Sequence, residues 1–576
     1  GLVIAEKHID TLQKIAERER SPIYTVGDVT GNDRFTFESK TTDEKPMDLA
    51  LEDMFGSSPK TILTDKTVKR NYKNSRYKVK NLKNYLTQVL QLEAVACKDW
   101  LTNKVDRCVG GKVAKQQCVG PLQIPLNNVG VMALDYNGKE GIATSIGHSP
   151  ISGLIYPEAG SRNSITEALT NIIWAPLKDN LASVSLSANW MWPCKNEGED
   201  ARLYEAVQAI SDFSIALGIN VPTGKDSLSM KQKYKDEAVI SPGTVVISAA
   251  GHCSDINKIV EPVFKQNGGK IYYINLSTDA YKLGGSSFAQ TQNKIGNEAP
   301  TIQNADAFKN AFNAVQELIK ADKIHAGHDI SAGGILTTIL ELCFADNNIG
   351  AEINLSDLGE SDAIKLLFAE NAGLVFQADE SVEAFLKSKN VAFFNIGEVV
   401  AGENVAIKNG SENFTFNVSD LRTAWYETSY LLDQKQTANN KGQERFDNYS
   451  KQALKFKFPE YFTGKLPSTT GKKKFKAAII REKGSNSERE MAHAMFLAGF
   501  DVNDVHMTDL ISGRETLEDI QFIGAVGGFS NSDVLGSAKG WAGAFKYNEK
   551  ANTALQNFFK REDTLSVGIC NGCQLW

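Results

Sequence analysis

IATSIGHSPISGLIYPEAGSRNSITEALTNIIWAPL, residues 142–177, is followed by VSLSANWMW (184–192), EGEDARLYEAVQAI (197–210) and INVPTGKDSLSM (219–230). Short strand-like runs alternate here with helical ones. Strands are expected over ATSIGH and VSLSANW, and helices around SITEALTNIIW and over EDARLYEAVQAI. Polar side chains gather where these elements begin and end. Glu167 and Asn171 stand four residues apart, so on a helix they share one face. A carboxylate beside an amide oxygen is a hard-oxygen pair suited to magnesium, which takes one or two carboxylates and completes its shell with water and phosphate. The same stretch also reads as a capping box, with Ser164 as N-cap and Glu167 three positions on. Spacing alone favours the cap.

Working outward, 576 residues at about 150 per domain predict three or four domains. A 42% hydrophobic and 23% charged composition is that of globular protein. The net charge of −6 argues against a nucleic-acid binder as a whole, and no apolar run reaches the ~18 residues of a membrane helix. Eight scattered cysteines are too sparse for a disulfide scaffold, and the only close pair is Cys570-x-x-Cys573. A reducing cytoplasm fits best. Between residues 60 and 83 the chain is basic, with Tyr72 and Tyr77 interleaved. This run reads as the solvated face of a connecting segment rather than an RNA site. IYTVGDVTGNDRFTFES (23–39) and AFFNIGEVVAGENVAIKN (392–409) share a pattern of aromatic strand, Gly-Asp/Glu-Val, turn and strand, which predicts a tandem duplication.

Several short motifs carry chemistry. His328-Asp329-Ile330-Ser331-Ala332-Gly333-Gly334 precedes a helix. Asp329 or Ser331 can be its N-cap, or the glycine-rich start can offer N–H groups to phosphate and Asp329 an oxygen to magnesium. Leu283-Gly284-Gly285-Ser286-Ser287 is a second, weaker cradle. Thr223-Gly224-Lys225-Asp226-Ser227 fails as a P-loop, because five residues separate Gly218 from Gly224 and Asp226 follows the lysine. Lys225 can still reach substrate phosphate, or pair on a surface turn. Asn189 sits at a strand end, where ligands gather. Gly568-Ile569-Cys570-Asn571-Gly572 ends an apolar strand as the cysteine form of a nucleophile elbow. A zinc or redox reading of Cys570-x-x-Cys573 lacks a second ligand pair.

SITEALTNI, LSANWM, EGEDARLYEAV and PTGKDSLSMK, in that order, resemble the formylglycinamide ribonucleotide (FGAR) amidotransferase family in its large single-chain form. The resemblance runs from about Arg18 to Trp576. It implies an ATP-dependent carbon–nitrogen ligase of purine synthesis joined to a glutaminase, with ATP/ADP and Mg2+ as cofactors and FGAR, glutamine and ATP as partners. Neither nucleic acid nor membrane is expected as a partner. The implied fold is a pair of α+β lobes like aminoimidazole ribonucleotide synthetase, followed by a truncated α/β class I glutamine amidotransferase domain. By resemblance, Glu167, Asn171 and Asp329 are magnesium ligands, Ser331 is a nucleotide contact, and Asn189 lines a nucleotide and metal site; Lys225 is expected as a further cofactor contact from its own motif. Asn128 stands where the family has a metal-binding Asp, which leaves that ligand in doubt. Cys570 matches the nucleophile, and the Gly528 and Asn571 amides match the oxyanion donors.

The expected domains are 1–58, tail of a first synthetase half; 59–107, a basic connecting segment; 108–256 and 257–432, the two lobes of a second half; 433–473, a linker; and 474–576, the truncated glutaminase. The chain is expected to be a fragment inactive alone, missing halves of its own sequence and the family's His-x-Glu. Two other readings stay open: another synthetase of the same superfamily, or a non-catalytic nucleotide-binding lobe.

Overall fold

The computed structural model describes residues 1–57, 60, 62–105, 107–451, 456–464 and 475–576. The chain divides into two compact units, Leu63–Phe456 and Gly1–Ile62 with Lys457–Trp576. Of the expected linker 433–473, residues 452–455 and 465–473 lie outside the described residues, as does most of the basic run before Phe475.

In the first unit, residues 63–81 form a strap over both lobes. Asp65 accepts the N–H groups of Gly198 and Asp200 at 3.2 and 3.0 Å, and Arg70 pairs with Glu199. Tyr77 donates to Asp362 at 2.7 Å. Of the basic run, Arg70 thus takes part in holding the strap to the first lobe. Helix α1 (Leu82–Gln91) follows, and its buried Leu82, Leu86, Val89 and Leu90 join the core of the second lobe.

The first lobe is a six-stranded sheet of β1 (Val113–Lys115), β2 (Gly130–Ala133), β3 (Gly141–Gly147), β4 (Val184–Met191), β5 (Asn220–Ser227) and β6 (Thr244–Cys253), ordered β1-β2-β3-β6-β4-β5. β6 alternates buried and open positions, so Val245, Ile247 and Ala249 face the core. Helix α2 (Pro157–Ile172) covers that face with Ile165, Ala168, Leu169 and Ile172, the i, i+3, i+4, i+7 stripe of an amphipathic helix. Helix α3 (Glu199–Leu217) lies beside it. The strand-like stretch VGPLQIPL (119–126) lies outside this sheet and takes part in a separate hairpin of Cys118–Val119 with Ile124–Pro125. Gly120, at φ +67° and pressed on Ala345, turns it away.

The second lobe holds β7 (Lys270–Asn275), α4 (Ser287–Thr291), α5 (Ala305–Lys320), β8 (Ile324–Ile330), α6 (Gly334–Phe344), β9 (Gly350–Asn354), β10 (Gly373–Ala378), β11 (Phe394–Val400), β12 (Asn404–Asn409), β13 (Glu412–Asn417), α7 (Val418–Gln434) and α8 (Lys441–Asn448). Its sheet order is β8-β10-β7-β11-β9-β12-β13. The stretch 433–445, read as the start of a linker, is helical: α8 packs on α7, and Arg445 binds the buried Asp99. The second repeat copy forms β11 and β12 within this sheet. In the first copy only Arg34–Phe37 is a strand, paired with Met47–Ala50. Among the described residues it has no wider sheet to join, and a strand pattern without a partner does not by itself form a strand.

The second unit carries a parallel sheet of β14 (Lys476–Arg481), β16 (Asp501–His506), β17 (Phe522–Ala525) and β19 (Leu565–Gly568), ordered β16-β14-β17-β19, with a small pair, β15 (Ser485–Asn486) and β18 (Gly527–Gly528). Helices α9 (Glu488–Leu497), α10 (Met507–Ser512), α11 (Lys539–Tyr547) and α12 (Glu549–Lys560) complete the α/β layers, and α13 (Asn571–Leu575) follows β19. From the N-terminal segment, Arg20 pairs with the buried Asp509 of α10 at 2.7 Å.

In the first lobe, helix and sheet approach closely at Gly147. A Cβ there would sit 2.3 Å from the main chain of both Ser164 and Ala168. Gly147→Ala is expected to push α2 off β3 and destabilise the protein by about 1–3 kcal/mol. A lowered denaturant midpoint at unchanged slope checks this.

Candidate functional site

Between the two lobes lies a cleft of about 510 Å³. Glu167 and Thr170 of α2, residues 148–152 leading into a short helix (Pro150–Ile155), Gly284, Gly285 and Ser287, Ser331 and Glu370 line it. Helix α2 starts at Pro157, with proline at its first position. Ser164 is therefore inside the helix, where its hydroxyl donates to the Gly160 carbonyl at 2.9 Å, and no capping box forms. Glu167 is free to face the cleft.

Asp329 is buried under the floor of the cleft, near the end of β8. Thr170, three residues along α2 from Glu167, donates to Asp329 Oδ2 at 3.3 Å. His328 places Nδ1 3.2 Å from Asp329 Oδ1 and Nε2 3.0 Å from Glu341 Oε2. Burial opposes charge on this imidazole, but the two carboxylates outweigh it and raise its pKa to about 9. Burial, then the charges of Asp329 and Glu370, push the Glu167 carboxyl up to about 8. Three acidic side chains thus crowd one site. Of the lining residues only Lys98 is Lys or Arg, and its Nζ donates to the Glu93 and Ala96 carbonyls.

Glu370 escaped the sequence reading. Its Oε1 accepts the N–H groups of Ser287 at 2.7 Å and Gly333 at 2.8 Å. A lone carboxylate inside the apolar run LLFAENAGLVF (366–376) is the signal that marks it.

The other expected ligands lie outside this cleft. The Asn171 amide donates to Glu167 O at 2.9 Å and Ile146 O at 3.4 Å. Along β4, Val184, Leu186 and Ala188 face the core under α2, so Asn189 points to the opposite face of the sheet. It stands in register with Lys225 of β5, whose Nζ bonds Ser227 Oγ. Asn128 immediately precedes Val129 and β2, and its Nδ2 is buried without a partner, as is Asn189 Oδ1. Among the described residues no three His, Cys, Asp or Glu side chains are placed to cage a metal. The cleft's donor set of crowded carboxylates, with Ser331 beside them, fits a hard cation that keeps water and phosphate in its shell.

The second site is the elbow at Cys570, held at φ +70° between β19 and α13. Such a backbone on a non-glycine residue costs about 1–3 kcal/mol and concentrates at functional sites. The turn needs its glycines: a Cβ on Gly572 would lie 2.1 Å from the Ala525 carbonyl oxygen. Asn571 is the first residue of α13, where a helix leaves its N–H groups without intrahelical partners. Its Oδ1 accepts the Ser530 N–H at 3.2 Å, tying the elbow to the strand that carries Gly528. That strand is held in turn by Phe529 N–H donating to Gly484 O at 2.8 Å. His506 ends β16, three sheet positions from β19, or about 14 Å at ordinary strand spacing. It caps α10 and does not face the thiol as a base.

The raised Glu167 pKa has a sign. An ordinary carboxyl ionises near 4.5 when unfolded, so the folded protein holds this proton more tightly. Its contribution is full below pH 4.5 and is lost as pH rises through about 8. In metal-free protein, Glu167→Gln is expected to leave stability unchanged near pH 4. It should raise stability increasingly toward pH 8, by an amount on the order of a few kcal/mol. Denaturant melts across that range check it.

The comparisons with known proteins agree with this architecture. The family described as FGAR-AT PurM_N-like domain matches residues 97–252, AIR synthase related protein, C-terminal domain matches 266–409, and CobB/CobQ-like glutamine amidotransferase domain matches 474–576. Over its whole length the chain is 40% identical to the probable phosphoribosylformylglycinamidine synthase, chloroplastic/mitochondrial, of Arabidopsis thaliana, covering 42% of that protein. It is 39% identical to the Dictyostelium discoideum phosphoribosylformylglycinamidine synthase and 38% to the human one, covering 46% and 45% of them. Among solved structures, Thermotoga maritima PurL complexed with FGAR aligns over 59% of this chain and 53% of its own, at 14% identity and a TM-score of 0.46. No helix of the described residues is long and apolar enough to cross a membrane. The chain spans under half the length of the curated relatives it matches, and over that span it is 38 to 40% identical to proteins named phosphoribosylformylglycinamidine synthase.

Proposed function

We propose that the chain is a segment of an enzyme converting formylglycinamide ribonucleotide to formylglycinamidine ribonucleotide with ATP and glutamine. Continuity carries this reading: one alignment at 38 to 40% identity runs through both lobes and the Cys570 elbow. In the synthetase reaction ATP phosphorylates the FGAR amide oxygen, and ammonia displaces the phosphate to give the amidine. In the glutaminase reaction the Cys570 thiolate attacks the glutamine amide carbon. The Gly528 and Asn571 N–H groups stabilise the oxyanion, ammonia leaves, and water hydrolyses the thioester.

Glu167 and Asp329 would hold magnesium, which neutralises phosphate charge when bound. Ser331 on the cleft wall would contact the nucleotide. The state of Lys98, donating to main-chain carbonyls, favours a cleft that holds a nucleotide rather than one that turns it over. Asn171, Asn128, Asn189 and Lys225 would serve only through movement toward the cleft, so their part in this reading is secondary. All eight cysteines are unpaired, which fits a reducing compartment such as the cytoplasm, although the plant relative is named chloroplastic/mitochondrial.

The test uses protein in which this segment is joined to the rest of the relatives' length. Cys570→Ala is expected to cut glutamine-dependent product formation by about a thousandfold or more while ammonia-dependent formation persists. Cys573→Ala should leave both near the parent. Full glutamine-dependent turnover in the Cys570 variant would remove the nucleophile assignment.

A further inference from the structure

Two glycine-rich turns in the sequence have the look of phosphate cradles, 283–287 and 331–334. In the structure one carboxylate oxygen already occupies both. Glu370 Oε1 takes the Ser287 N–H at 2.7 Å and the Gly333 N–H at 2.8 Å. Gly333 adopts φ +94°, and a Cβ there would meet the Thr337 hydroxyl at 2.3 Å, so the turn is shaped to aim that N–H at Glu370. An N–H satisfied by a charged acceptor is not open to a phosphate oxygen.

We infer that Glu370 is a built-in anion of the cleft, filling the place where these two N–H groups converge and making entry of a nucleotide's phosphates conditional on a divalent cation. The inference rests on the nucleotide reading of the cleft. Glu370 shares the cleft wall with Glu167, and Asp329 lies just beneath. Lys98, on the same lining, directs its ammonium to the Glu93 and Ala96 carbonyls. A nucleotide phosphate brought here without a cation meets the Glu370 carboxylate where the two N–H groups converge, and like charge in place of an open donor pair weakens its binding. A purely structural staple between two loops would have the same hydrogen bonds but no such selectivity.

Glu370→Gln separates the two roles, since the amide oxygen can accept the same N–H groups without the charge. ADP is titrated calorimetrically into the full chain, in EDTA and again in Mg2+, for parent and variant. The expected result is that the variant binds ADP in EDTA about tenfold more tightly than the parent and gains less from Mg2+. Parent that binds ADP with Mg2+, beside a variant unchanged in EDTA or weakened equally in both buffers, overturns the inference alone and leaves Glu370 a staple. Parent that binds ADP in neither buffer overturns the nucleotide reading and the inference with it. Should Glu370→Gln not fold, Glu370→Asp, which keeps the charge, must keep the parent's Mg2+ requirement; its loss overturns the inference.

Discussion

Gln316 holds the cleft together. Its side chain is fully buried on α5 of the second lobe, yet it reaches the segment that follows α2 of the first. Oε1 accepts the Leu177 N–H at 2.7 Å, and Nε2 donates to the Ala175 carbonyl at 2.9 Å and to that of Ile173. A buried amide with its hydrogen bonds filled this way fixes one arrangement, since any slippage would strand polar groups in the core. Beside it the Trp174 ring lies flat against Gly327, where a Cβ would come within 2.1 Å of it. One continuous core then spans both lobes, from Val129 through Trp174 to Phe376.

From that lock follows the electrostatics. Helix α2 cannot drift from β8, so Glu167 cannot move away from Asp329 to relieve repulsion. The protein responds by shifting protons: Glu167 holds its own, and His328, between Asp329 and Glu341, keeps a positive charge. A site that a packed core keeps crowded with acid is one in which a cation gains more than it would on an open surface.

The broad layout was legible in the sequence because it is written in periodicity. The i, i+3, i+4, i+7 stripe of α2 and the alternation of β4 and β6 each survive into the fold. What failed was local context. The start of α2 lies seven residues before Ser164, hidden by glycines that look like loop. Gly160 and Gly153 are there because two helices touch: a Cβ on Gly160 would sit 2.5 Å from Gly153. Strand parity, which a single position at a strand end does not reveal, puts Asn189 on the face of the sheet away from α2. Glu370 shows in the sequence only as a lone carboxylate in an apolar run, and its role is not local, because its partners come from elements 37 and 83 residues away. Pair contacts of that range are set by topology, which periodicity does not encode.

The two sites store unfavourable energy in different forms. At the cleft it is like charge, which a bound cation relieves, so occupancy and stability are linked there. At Cys570 it is backbone strain, which no ligand relieves and which must be offset by packing. The offset is visible in the close approach of Gly572 to Ala525, the bond from Ser530 to Asn571, and the Gly484–Phe529 bond behind them. That packing holds the thiol in the sharp turn between β19 and α13. The elbow is therefore preorganised by the fold itself, whereas the cleft between the lobes is completed only when its charge is balanced.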